Sequence, residues 1–186
     1  MANSDTPTGL TPVRYMSGAP YTGATERFYV PASDSTAIFV GDPVRSAGSA
    51  DARGVASVQR AGIGSTILGV VTSVVPVTRD SETYRPANSE RYVNVCTAKD
   101  VVYEVQSDAT GALVANDVGL NADIVNGTGS AITGLSGVEL DSSSADTATA
   151  QLRIIGFVQR EDNEIGANAK VEVIINEHER SSAVGV

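Results

Sequence analysis

Tryptophan is absent from these 186 residues, cysteine and histidine occur once each, and lysine occurs only as Lys99 and Lys170. Each scarcity excludes a class of chemistry. One cysteine, Cys96, rules out an intramolecular disulfide framework, so stability has to come from packing or from association with other chains. Cys96 and His178 together do not supply the three or four nitrogen and sulfur ligands of a zinc site. A serine or cysteine nucleophile needs a base within reach. The one histidine sits in the charged stretch Glu177-His178-Glu179-Arg180, where a satisfied or solvated surface role is expected. Without tryptophan, and with only 5% aromatic residues, no stacking platform for sugars or single-stranded nucleic acid is encoded. No run approaches the roughly 18 apolar residues that a membrane helix needs, and Met1-Ala2-Asn3-Ser4-Asp5 lacks the basic start and apolar stretch of a signal peptide.

What is present points to a folded β protein. Hydrophobic residues make up 41% and charged residues 19%, a balance that supports a real core and excludes wholesale disorder. Thirteen basic residues against 22 acidic ones give a net charge of −9, which repels phosphate-rich and anionic-lipid partners over most of the surface. Neither nucleic acid nor a membrane is an expected partner. Arginine supplies nearly all of the positive charge, and its planar fork suits fixed, bidentate pairing across protein interfaces.

Residues 1–25 are rich in Gly, Pro, Ser and Thr, with Pro7, Pro12 and Pro20 spaced so that neither a helix nor a central strand runs through them. They read as an extended N-terminal arm carrying Val13, Tyr15, Met16 and Tyr21. Residues 26–178 form the β domain. Short β-rich runs recur at Arg27–Val30, Thr36–Val40, Val55–Gln59 and Ile67–Val77, broken by turn signals at Gly41-Asp42-Pro43 and Gly62-Ile63-Gly64. This rhythm predicts a small antiparallel barrel or sandwich. The alternating runs 91–96 and 101–106, joined by Thr97-Ala98-Lys99-Asp100, predict a hairpin in which Val101, Tyr103 and Val105 share one face and Glu104 and Gln106 the other. Residues 107–150 predict a loop-rich middle segment, with one helical turn over Ala112–Asn116. Two further strands, Ala150–Val158 and Ala169–Asn176, flank the charged surface loop 159–164, and 179–186 read as a flexible tail.

The chemical motifs are near misses. Gly134-Leu135-Ser136-Gly137 lacks the spacing of a nucleophile elbow. Cys96 lies in a strand, where it acts as a small buried hydrophobe. Asn116, Asp117, Asn121 and Asp123 gather oxygen donors without the order of an EF-hand, and turn formation accounts for them. Gly62-Ile63-Gly64-Ser65-Thr66 fits neither a dinucleotide loop nor a P-loop, and Asp34-Ser35-Thr36 is not the turn of an aspartic protease. The sequence therefore predicts no catalytic residue, no cofactor and no metal.

Several segments resemble capsid decoration, or cement, proteins of tailed bacteriophages. They are Gly9-Leu10-Thr11-Pro12-Val13-Arg14-Tyr15, Arg27-Phe28-Tyr29-Val30-Pro31-Ala32, Phe39-Val40-Gly41-Asp42-Pro43-Val44, Ile67-Leu68-Gly69-Val70-Val71, Tyr84-Arg85-Pro86-Ala87 and Arg91-Tyr92-Val93. Later ones are Gly134 to Asp141, Asp162 to Gly166 and Val171 to His178. The resemblance implies a β-rich, non-enzymatic protein made in the bacterial host cytoplasm. It would sit on the capsid exterior of the virion, bind the major capsid protein of an expanded head and stabilise it against DNA pressure. It also implies a homo-oligomer, with a trimer favoured over a dimer. Arg14, Tyr15, Tyr21 and Arg27 are the expected contacts with the capsid or a neighbouring subunit. Competing expectations are another virion component, such as a head-fibre base, a minor capsid or a tail protein, and a soluble ligand-binding barrel with an enclosed apolar pocket.

Overall fold

The computed structural model describes residues 3–181, and within them the chain is mainly β: twelve strands, with no helix longer than a three-residue 3-10 turn. Strand β1 (Thr11–Tyr15) joins a sheet described below. The next five close into a barrel in the order β2 (Glu26–Val30), β4 (Ala56–Arg60), β3 (Pro43–Ala50), β5 (Gly69–Val74), β6 (Arg91–Cys96). All barrel pairings are antiparallel except β2 with β4, which run parallel through Tyr29 and Ser57. Alternation along β2 sends Phe28 and Val30 inward and leaves Arg27 and Tyr29 outside. The interior is filled by Phe28, Val30, Ile38, Val44, Val58, Leu68, Val71, Val93 and Val95. Closure leaves the barrel no edge strand at which another chain would pair.

The second unit is an antiparallel sheet in the order β1, β7 (Val101–Gln106), β12 (Lys170–Ile175), β11 (Leu152–Phe157), β8 (Asn121–Ala122). A small hairpin, β9 (Ile124–Asn126) with β10 (Val138–Leu140), lies against it. A larger core joins this sheet to the barrel: Ile67, Val70 and Cys96 from the barrel side meet Tyr103, Val105, Leu152, Ile154, Val171 and Val173. The fold is thus a barrel with a sheet packed on its flank.

Three local expectations give way to tertiary structure. Residues 91–96 and 101–106 are strands with the expected limits, but they do not form a hairpin. β6 pairs with β2 and β5, β7 pairs with β1 and β12, and Thr97–Asp100 carries the chain from barrel to sheet. Burial goes with this placement: between β1 and β12, Val101, Val102, Tyr103, Val105 and Gln106 are all buried and only Glu104 is partly exposed, so β7 is an interior strand and not one arm of a half-exposed hairpin. Thr36–Val40 is not a strand either; only Ile38 and Val40 form single bridges, to Arg85 and Leu135. Conversely Pro43–Ala50, whose small and polar residues hide its pattern, is the longest strand.

The arm is extended, and Pro12 occupies an edge strand as its missing N–H requires. It is nevertheless built into the body. β1 pairs with β7, and Leu10, 1% exposed, enters the joint core. Of the flexible tail expected over residues 179–186, Glu179–Ser181 instead form a docked 3-10 turn, and residues 182–186 lie outside the described residues. Just before Leu10 the arm crosses the turn at Gly41 with no room for a side chain. Leu10 N donates to Gly41 O at 2.9 Å, and Gly9 and Gly41 have φ of +71° and +95°. A Cβ on Gly9 would stand 2.5 Å from Gly41 O and 2.6 Å from Ser136 Cβ. Gly9→Ala is therefore expected to destabilise the fold by about 2–4 kcal/mol, through strain and a forced separation of the crossing chains. Gly18→Ala, at a positive φ in open space, is expected to cost about 1 kcal/mol. Urea denaturation followed by far-UV circular dichroism measures both.

Candidate functional site

The four contact residues expected from sequence fall in two places. Arg14, Tyr15 and Tyr21 lie at the sheet edge and are engaged within the chain. Arg14 Nη2 donates to Glu172 Oε2 on β12 at 2.5 Å. The rings of Tyr15 and Tyr21 pack at 6.0 Å against each other and against the joint core, and Tyr21 Oη donates to Ala24 O. Burial beside the Cys96 thiol and Tyr15 raises the Tyr21 phenol above its ordinary range. Arg27 stands apart on the outer wall of the barrel, exposed, and makes no ion pair among the described residues.

The arm begins with a second attachment. The Asn3 side chain donates to Glu164 O and Ala167 O and accepts from Glu164 N. Gln106, expected to face water, is buried and clamps the same segment: Oε1 accepts from Thr6 N at 2.9 Å and Nε2 donates to Ser4 O and Asn168 O. Gln106 and residues 164–168 are thus the seat of the arm.

Four buried polar groups tie distant segments together. Arg85 is fully buried and donates to the carbonyls of Pro31, Asp34, Thr36 and Ser89 at 2.6 to 2.8 Å, fixing one end of the barrel. Asp42, equally buried, accepts from Phe39 N and from Ser136 Oγ, with Arg60 Nε 3.3 Å away. Burial raises its carboxyl, while Arg60 and Ser136 act in the opposite direction. Gln151 accepts from Ile124 N and donates to Gly62 O and Ser65 O. His178 is buried, not on the surface: Nε2 lies 3.1 Å from Thr97 O, and Nδ1 accepts from Arg180 N. Burial lowers its pKa, which keeps the ring neutral. Next to it Arg180 makes a bidentate pair with Glu26 on β2, and Glu26 is held down at about 2. Sequence gave no warning of Arg85 or His178, because the groups that enclose them come from segments remote along the chain.

The oxygen-rich cluster in the middle segment serves turns and strands. Asp117 accepts from Val114 N, Asp123 from Gln151 N, and Asn121 accepts from Arg153 and donates to Ala148 O. Among the described residues no group of three or more His, Cys, Asp and Glu is gathered around a common centre. Cys96 is buried as expected, within reach of the Tyr103 hydroxyl. Comparison with family models, curated proteins and solved structures gives no match.

One carboxyl has an unusual titration. Glu139 on β10 is raised to about 7, first by burial and then by the charges of Asp5 on the arm and Asp108 beside β10. A carboxyl raised in the folded state contributes stability that is full below its unfolded value of 4.5 and is lost as pH rises through about 7. Glu139→Gln removes that loss, so the variant should gain about 2 kcal/mol over the parent at pH 8, after allowance for solvent screening, and little at pH 4.5. Thermal denaturation between those limits measures it. His178 has the opposite sign: its lowered pKa contributes stability above 6.5 that is lost as pH falls through the folded value. His178→Gln should therefore lose stability at pH 8 and close the gap to the parent below pH 6.

Proposed function

We propose that the chain is a non-enzymatic decoration protein of a tailed-phage capsid, binding the outside of the expanded head and stiffening it against DNA pressure. The observation that carries this reading is where the buried polar chemistry is spent. Arg85, Asp42, Gln151 and His178 are each committed to fixed hydrogen bonds that lash loops and chain ends to the barrel. Such ties raise resistance to opening and leave those groups no freedom to act on a substrate. The resemblance of segments spread from Gly9 to His178 points the same way, as does a surface without unprotected barrel edges. A modest interface repeated over a lattice gains strength through avidity.

Because Leu10 and β1 belong to the fold, deleting residues 1–20 would damage the body and would not isolate an anchor. The direct test is co-sedimentation of the intact protein with expanded heads that lack it, with bound copies counted by quantitative mass spectrometry. Saturation at hundreds of copies per head, together with a raised temperature of DNA release, is the expected outcome. No binding, or saturation at a dozen or so copies, would replace this reading with that of a minor virion component or a ligand-binding barrel.

A further inference from the structure

The last described turn, Glu179–Ser181, is fastened to the body through the one histidine of the chain. His178 is 4% exposed, and its ring is held at both nitrogens. Nε2 lies 3.1 Å from Thr97 O; a carbonyl only accepts, so Nε2 carries the proton. Nδ1 lies 3.1 Å from Arg180 N, a backbone donor, so Nδ1 is bare and accepts. These two partners admit a single neutral tautomer. They exclude the imidazolium, whose Nδ1–H would point at the Arg180 N–H.

The charges around the ring do not make room for a proton. Lys99, on the link between barrel and sheet, and Arg180, on the turn, both oppose a positive ring, and Glu179 alone favours one. The Glu179 carboxylate is already occupied on β3, accepting from Ser46 N at 2.9 Å and from Ser46 Oγ at 2.6 Å. Glu26 on β2 is taken up by its two bonds to Arg180 and, held at about 2, keeps its charge throughout the range in which a histidine titrates. Besides the ring, the turn is docked by the bond from Glu179 N to Ile67 O, by Ser46 and by the Arg180–Glu26 pair, whose side chains are 42% and 50% exposed. Exposed pairs contribute little, so the state of the buried ring decides whether the turn stays down.

We propose that His178 is an acid-operated latch: its neutral ring holds the turn 179–181 on the seam between barrel and sheet, and uptake of a proton releases the turn while the barrel stays closed. None of the barrel's strand pairings passes through these residues. In the released form the ring is solvated and has its ordinary proton affinity, whereas in the docked form burial holds its pKa below 6.5. Acid therefore favours release, by up to about tenfold per pH unit as pH falls from 6.5 towards the docked value. The latch belongs to the chain alone and does not depend on the proposed function.

The test is amide hydrogen exchange of the intact protein, followed by NMR between pH 7.5 and 5 and corrected for the intrinsic pH dependence of exchange. The expected result is that protection of the Glu179 and Arg180 amides falls by up to about tenfold per pH unit below 6.5, while the Val71 amide of β5, bonded to Asp42 O, keeps its protection. In His178→Asn, where an amide oxygen replaces Nδ1 as acceptor for Arg180 N, protection of the turn should be independent of pH. Unchanged protection of the turn in the parent, the same pH dependence in His178→Asn, or loss of Val71 protection in step with the turn would overturn the latch. Should His178→Asn fail to fold, the ring signals of the single histidine decide: a protonation midpoint that coincides with loss of the turn's protection supports the latch, and separate midpoints overturn it.

Discussion

The contact on which the two units depend is the crossing of the arm over the turn at residues 40–42. Gly9 and Gly41 approach until neither tolerates a Cβ, and Leu10 N bonds to Gly41 O on the way into the joint core. The same turn is held on every side. Gly41 N donates to Val71 O on β5, Val40 exchanges backbone bonds with Gly134 and Ser136, and the Asp42 carboxylate collects Phe39 N, Ser136 Oγ and Arg60. Arm, barrel and the 127–137 loop meet there. A buried carboxylate is tolerable at this place because its charge is matched by Arg60 and its oxygens accept hydrogen bonds; removal of either partner would leave an unpaired buried charge.

From that junction the rest of the architecture follows. A five-stranded barrel of this size has an interior filled by its own side chains, so the sheet on its flank provides the larger of the two cores. The arm supplies that sheet with an edge strand whose Pro12 limits further pairing, and the C-terminal segment closes the opposite seam. Ile67 N donates to Glu177 O, Glu179 N donates to Ile67 O, and Arg180 reaches across to Glu26. Both ends of the described chain are therefore fastened to the body. The proposed function draws on this: a protein that stiffens a shell transmits force better when its termini and loops are stitched to a closed barrel.

Electrostatics adds direction to the fold. The net negative charge resides outside the barrel, whose seven arginines and seven carboxylates balance. Such a division orients an approaching partner more than it strengthens the final contact, since exposed pairs contribute little affinity and mainly set encounter rate and specificity.

Local pattern alone determined the β character of the chain. It also set the limits of the strands at 91–96 and 101–106, the edge character of the proline-bearing arm and the burial of Cys96, because alternation and proline geometry act over a few residues. What only the tertiary structure decided is which strands pair. Two adjacent alternating runs joined by four residues satisfy a hairpin locally, yet β7 is almost wholly buried between β1 and β12, partners that lie far from β6 in sequence. The fates of Arg85, Gln106 and His178 were likewise beyond local reading. A charged or polar side chain is buried only where carbonyls and amides from remote segments converge to satisfy it, and that convergence is a property of the folded chain.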